Sequence, residues 1–172
     1  MNYFITGIAG TGKTSVCNKL KERGYNTYDI DEGLCSWINK ESGKHADWNP
    51  DVGSEWVEKH QWICDIEELE KILSKDAVTI VCGIASNSLE MLPYFDKVIL
   101  LTLEDELLKK RLSARTGKYD WAKTEIEQSR LLSWKDDWEQ AMVKAGAIPT
   151  NTNKPLEMVI EEVLQKLELS DF

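Results

Sequence analysis

Gly7-Ile-Ala-Gly-Thr-Gly-Lys-Thr14 follows directly on the apolar run Tyr3-Phe4-Ile5 and leads into a stretch where Val16 and Leu20 stand four apart among polar residues. This order requires a strand, a tight glycine-rich turn and a helix, in that sequence. It is also a complete G-x-x-x-x-G-K-[ST] pattern, in which every position has a mechanical task. Gly7, Gly10 and Gly12 admit backbone conformations closed to residues with a Cβ. Thr11, Gly12 and the residues around them can then turn successive N–H groups inward to cradle phosphates. Lys13 supplies a positive charge to those phosphates, the Thr14 hydroxyl can ligate Mg²⁺, and Ser15 opens a helix whose dipole favours an anion.

The remaining sequence reads as one domain over residues 1–172, with 42% hydrophobic and 30% charged residues. No run of about 18 apolar residues offers a membrane span, and no secretory leader is expected, because the first strand begins at residue 2. A formal charge of −9 disfavours a nucleic-acid partner. Cys17, Cys35, Cys64 and Cys82 lack C-x-x-C spacing and read as reduced thiols of a cytoplasmic protein.

Strand and helix signals alternate, which predicts an α/β fold with a parallel sheet. Strands are expected near 2–6, 25–28, 77–82, 97–102 and 146–149. Val78-Thr-Ile-Val-Cys82 and Val98-Ile-Leu-Leu-Thr102 are continuously apolar, as befits strands buried on both faces. Trp62, Ile66, Leu69 and Leu73 have the spacing of one helical face, as do Leu131, Trp134, Trp138, Ala141 and Ala145. Leu156, Val159, Ile160, Val163, Leu164 and Leu167 stripe a last helix behind Pro155. Thr102–Asp105 and Thr124–Glu127 have the form of capping boxes. His60 falls mid-helix in this scheme. Residues 39–55 form a polar, loop-rich segment, and 113–123 a polar break between helices. In such folds, loops beyond the carboxyl ends of the strands hold ligands and lids.

Two constellations extend the phosphate loop. Asp29 and Asp31 close the second strand on one side of an extended chain, where one carboxylate suits the Mg²⁺ shell and the other a proton from an attacking hydroxyl. Arg111 and Arg115, four apart on a helix with Lys118 beyond, can neutralise charge on transferred oxygens.

The order G-x-x-G-x-G-K-T, D-x-D, a glycine at a strand end (Gly83), then R-L-x-x-R before a short break resembles the small P-loop kinases. Shikimate kinase, gluconate kinase and the nucleoside-monophosphate kinases are similar in pattern over nearly the whole chain. The resemblance implies a three-layer P-loop NTPase fold, with a five-stranded parallel sheet ordered 2-3-1-4-5, flanking helices and a lid near 113–123. It implies ATP and Mg²⁺ as cofactors, bound through Lys13 and Thr14. Asp29 would be the outer-sphere Mg²⁺ carboxylate and Asp31 the residue meeting the acceptor hydroxyl. Gly83 would line the acceptor site, Arg111 would stack near adenine, and Arg115 would be the lid arginine. Pro149-Thr150-Asn151-Thr152 would border the base.

Two departures narrow the function. The strand ending Cys82-Gly83-Ile84 lacks an acid, which argues against AAA-type motor ATPases, and Asn153-Lys154-Pro155 is not a guanine signature. No arginine occurs between Gly24 and Lys110, whereas carboxylate or phosphate acceptors are usually held by bidentate guanidinium. The acceptor region, about 32–60, offers Asp47, Asp51 and Glu55 beside Trp37, Trp48 and Trp56. Carboxylates and aromatic faces suit a neutral or cationic acceptor: a polyol, a nucleoside or an aminoglycoside-like compound. Trp48 is the stacking candidate, and Arg130 could reach in from elsewhere. These features predict an Mg²⁺-dependent kinase of a small-molecule hydroxyl, monomeric or homodimeric. A monophosphate or shikimate kinase and a non-catalytic ATP-binding regulator are the alternatives.

Overall fold

The computed structural model describes residues 1–49, 52–116 and 122–169. Its main sheet is built from β1 (Asn2–Thr6), β2 (Thr27–Asp29), β6 (Thr79–Cys82), β7 (Lys97–Thr102) and β8 (Ile148–Asn151). Between β2 and β6 lie β3 (Cys35–Asn39), β4 (His45–Ala46), α2 (Ser54–Lys59), β5 (His60–Cys64) and α3 (Ile66–Leu73). The other helices are α1 (Lys13–Glu22), α4 (Ser88–Met91), α5 (Asp105–Ser113), α6 (Glu125–Lys144) and α7 (Leu156–Leu167).

The five main strands are all parallel in the order β2-β6-β1-β7-β8. Among these five strands that is 2-3-1-4-5, as the resemblance to the small P-loop kinases implied. The apolar runs of the three central strands, β1, β6 and β7, reflect burial on both faces. Tyr3, Ile5, Ile80, Cys82, Ile99 and Leu101 face α1 and α7. Phe4, Val81, Val98 and Leu100 face the opposite layer, against Leu69, Met91 and Met142. Phe4, Ile5, Ile80, Ile99 and Leu100 are fully buried, each worth about 1.5–3 kcal/mol of transfer free energy. A smaller cluster of Ile8, Leu108, Leu112 and Leu131 supports the glycine loop from below.

The segment between β2 and β6 departs from expectation. Trp62 and His60 belong to β5 and not to a helix. β5 pairs antiparallel with β3 in a second sheet ordered β4-β3-β5, with Cys35 opposite Cys64, Trp37 opposite Trp62 and Asn39 opposite His60. The helix starts only at Ile66, where Asp65 caps it by accepting the Glu68 N–H at 3.1 Å. Cross-strand pairing of aromatic and β-branched side chains outweighs the helical spacing of Trp62 with Ile66. The loop expected over 39–55 likewise contains β4.

Of the two capping boxes, Thr124–Glu127 is present in full. The other is absent: Glu104 is the N-cap of α5, with no side-chain cap bond.

Candidate functional site

A cleft of about 580 Å³ opens at the carboxyl edge of the sheet, lined by Gly10–Ser15, Asp31, Ile84, Arg111, Arg115, Thr152, Lys154, Leu156 and Val159. The glycine loop forms its floor because β1 stops at Thr6 and α1 starts at Lys13. Gly12 is the N-cap of α1 at φ +99°, a left-handed conformation that directs the following amides toward the cleft. Thr11 fixes the loop internally, its hydroxyl donating to the Ile8 carbonyl at 2.8 Å. Gly7 stands at the end of β1 against the Leu101 carbonyl of β7.

Lys13 bends back across the loop and donates to the Ile8 carbonyl at 3.0 Å. Burial pushes its ammonium down to about 8; Asp31 and Asp29 pull it upward and Arg115 pushes it down. One ammonium thus feels both carboxylates and one guanidinium, so the cationic and anionic groups converge on the loop. Burial also raises the Asp31 carboxyl, with Asp29 adding to the rise, while the Trp62 indole and Lys13 oppose it.

Asp29 and Asp31 are not neighbours on an extended strand. β2 ends at Asp29, the chain turns, and the Asp31 N–H donates to Asp29 Oδ1 at 3.0 Å. This Asx turn gives the two carboxylates different surroundings. Asp31 lines the cleft, and its Oδ1 accepts the indole N–H of Trp62 at 2.9 Å.

The two arginines also differ from a simple helical pair. Arg111 lies on α5, whereas Arg115 follows the C-cap Ala114. Both reach the cleft. Arg111 is held by the Thr152 carbonyl at 2.8 Å and the Thr152 hydroxyl at 3.3 Å. Thr152, and not Thr150, is the member of the 149–152 stretch that lines the cleft. Thr150 is buried in β8 and accepts from Lys166 at 3.0 Å.

Several other expected residues stand outside the lining. Gly83 runs at φ +145°, and a Cβ there would lie 2.2 Å from Ile30 Cγ1. Its glycine is required by Ile30 packing, and Ile84 is the neighbour that reaches the cleft. Arg130 on α6 pairs with Glu58 of α2. Trp48 is half-buried beyond β4. Gly117 and Lys118 of the expected lid, and Asp51, fall outside the described residues.

Sequence reasoning missed Ile84, Lys154, Leu156, Val159 and the part played by Trp62. Leu156 and Val159 belong to the apolar stripe of α7, and nothing in its period marks the end that rims a cleft. Trp62 clusters with Trp37 at 5.4 Å, Trp37 with Trp56 at 5.2 Å, and Trp56 stacks on His60 at 3.9 Å.

The donor set fits a divalent cation of the Mg²⁺ type. The Thr14 hydroxyl lines the cleft, and the Asp29 carboxylate is near enough to raise the pKa of Lys13. Mg²⁺ takes most of its oxygens from water and phosphate and needs few from protein. Among the described residues, no three His, Cys, Asp or Glu side chains cluster to hold a metal, and no helix is long and apolar enough to cross a membrane. All four cysteines are free.

The AAA domain family matches residues 4–133, and no curated protein sequence matches the chain. Similar solved structures include a sugar kinase from Janibacter sp. HTCC2649, with 18% identity, a TM-score of 0.58 and coverage of 99% of this chain and 95% of that one. Shikimate kinase from Acinetobacter baumannii in complex with shikimate gives 17%, 0.60, 97% and 93%. Deoxyadenosine kinase from M. mycoides with bound dATP gives 14%, 0.59, 98% and 100%. At such identities the likeness is one of fold. The family carries the AAA name, yet β6 ends without the acid pair of the AAA motors, so membership fixes the domain and not a motor's chemistry. The chain belongs to the AAA domain family and has the fold of the small P-loop kinases.

Proposed function

We propose that the protein is an ATP-dependent kinase that phosphorylates a hydroxyl of a small neutral or cationic molecule. The observation that supports this most directly is the convergence of Lys13, Thr14, Asp31 and Arg115 on one cleft. Phosphoryl transfer needs in-line positioning and neutralisation of charge on the transferred oxygens more than covalent chemistry from the protein. Lys13 and Arg115 meet the β- and γ-phosphate oxygens. Asp31 orients the acceptor hydroxyl and takes its proton as the oxygen attacks phosphorus and ADP departs. Arg111, Leu156 and Val159 form the rim that receives the base. Thr14 and Asp29 would hold Mg²⁺, which would supply further charge neutralisation for the phosphates.

The acceptor class follows from charge. Arg23, Arg111, Arg115 and Arg130 are all the arginines of the chain. Arg23 pairs with Glu157 and Glu161, and Arg130 with Glu58. The guanidinium groups that line the cleft stand at its phosphate and base ends, and the acceptor side offers Asp31 and tryptophan.

The test is ADP release from ATP with a panel of polyols, nucleosides and aminoglycosides set against nucleoside monophosphates and shikimate. Acceptor-dependent release with a neutral or amine-bearing compound, lost in Lys13→Ala, is the expected result. ATP binding without turnover on any acceptor would instead mark a nucleotide-binding regulator.

A further inference from the structure

We propose that Trp62 is the positioning residue for Asp31: its indole N–H, 2.9 Å from Asp31 Oδ1, fixes the carboxylate at the mouth of the phosphate cleft. The inference rests on the kinase reading, in which Asp31 meets the acceptor hydroxyl. It deepens that reading by assigning a task to the second sheet.

Trp62 is itself held firmly. In the antiparallel β3–β5 ladder the Asp65 N–H donates to the Leu34 carbonyl at 2.8 Å and the Lys40 N–H to the Lys59 carbonyl at 2.9 Å. Alternation then leaves Trp62 and Cys64 in non-hydrogen-bonded pairs, with their backbone groups directed away from β3. The loop after β6 takes up those groups. Trp62 N–H donates to Ser86 Oγ at 3.2 Å, and Ser86 N–H donates to the Trp62 carbonyl at 2.6 Å. Asn87 engages the N–H and carbonyl of Cys64, each at 3.0 Å. The indole packs on Trp37 across the ladder.

Asp31, by contrast, sits in a turn just beyond β2, where its N–H donates to Asp29 Oδ1 at 3.0 Å. An aspartate side chain turns about χ1 and χ2 unless a partner holds it, while a general base must stand within hydrogen-bond reach of its proton. Misplacement by about 1 Å can cost on the order of 10²-fold in rate. The Trp62 indole couples the carboxylate to β5 and, through Ser86, to the loop that carries Ile84 into the cleft.

The experiment replaces Trp62 by its benzothiophene isostere, which keeps shape and packing and removes only the N–H, with Trp62→Phe as a second variant. With an acceptor found in the panel, both lower kcat by about tenfold to a hundredfold. KM for the acceptor and Kd for ATP stay within about twofold, because ground-state binding does not use the bond. Adding Trp62→Phe to Asp31→Asn produces no further loss, since the two act as one unit. The indole resonance missing from Trp62→Phe also moves in Asp31→Asn, with no acceptor needed. Wild-type kcat in the isostere, beside an inactive Asp31→Asn, overturns the positioning role and leaves the kinase reading intact. Wild-type turnover in Asp31→Asn, or no acceptor-dependent ADP release from the unmodified protein, overturns the reading on which the role depends.

Discussion

Lys13 carries its charge in a place that disfavours it. Its ammonium is lowered to about 8 chiefly by burial. A phosphate anion brought beside it raises the pKa again, so nucleotide binding and protonation are linked. Below about pH 8 the lysine is already charged and affinity is level. Above that, affinity falls by up to about tenfold per pH unit until the pKa of the bound state is reached. ADP titrated into the protein in EDTA at pH 8, by calorimetry in two buffers of unlike ionisation enthalpy, should report net proton uptake. Lys13→Met should abolish the uptake; uptake that survives the substitution assigns the titration to another group. Gly83 shows a second kind of residue-scale constraint. A Cβ would meet Ile30 at 2.2 Å, whereas one at Gly12 meets nothing within 4 Å. Gly12→Ala should therefore cost only the left-handed strain, about 1–2 kcal/mol. Gly83→Ala should cost more, and should cost less in an Ile30→Ala background than in the wild type. Urea denaturation of the four variants measures both comparisons.

Among the elements, those governed by local pattern were legible and those governed by distant pairing were not. The central strands announce themselves because burial on both faces writes a continuous apolar run, as in Val98–Leu101. The α7 stripe is just as plain, since Val159, Ile160, Val163, Leu164 and Leu167 are all buried. Thr124 and Glu127 signal α6 by local hydrogen bonding alone. The β4-β3-β5 sheet carries no such mark. Its strands span two to five residues, and Trp62 happens to stand four residues before Ile66. What makes β5 a strand is Cys35–Asn39 opposite it, together with Ser86 and Asn87 filling its other edge, all remote in sequence. Asp31 was recognisable as a candidate acid, but its indole partner depends on that unseen sheet and stayed hidden with it. Asn87 gives the measurable consequence. Its buried amide serves the N–H and the carbonyl of Cys64 at once, in place of a neighbouring strand. Asn87→Ala leaves both groups unpaired and should lower stability by about 2 kcal/mol or more. Ser74→Ala, at an exposed hydroxyl bonded to Lys71, should lie within about 0.5 kcal/mol of wild type.

The whole molecule bears a net charge of −9, yet its cleft collects Lys13, Arg111, Arg115 and Lys154. An acidic body with a local cationic floor admits a polyphosphate only at that floor and repels anions elsewhere. On the proposed reading, an acceptor that enters past Asp31 and the second sheet would meet the acidic part of this field. Ionic strength separates the two contributions. Between about 0.1 M and about 1 M salt the Debye length falls from about 10 Å to about 3 Å. KM for ATP should rise over that range, because charge contributes to its capture. KM for a neutral acceptor should stay level, and for an amine-bearing one it should rise as screening removes its attraction to the acidic side. An anionic acceptor preferred at low salt would require a cation on the acceptor side. Arg130 is the one arginine beyond the cleft facing α2, and it is held by Glu58. Glu58→Gln then becomes the decisive variant: if it strengthens an anionic acceptor severalfold, Arg130 serves the acceptor and the neutral-or-cationic assignment is wrong. The expected result is no change in acceptor preference and a stability loss of no more than about 1 kcal/mol, the usual worth of an exposed ion pair.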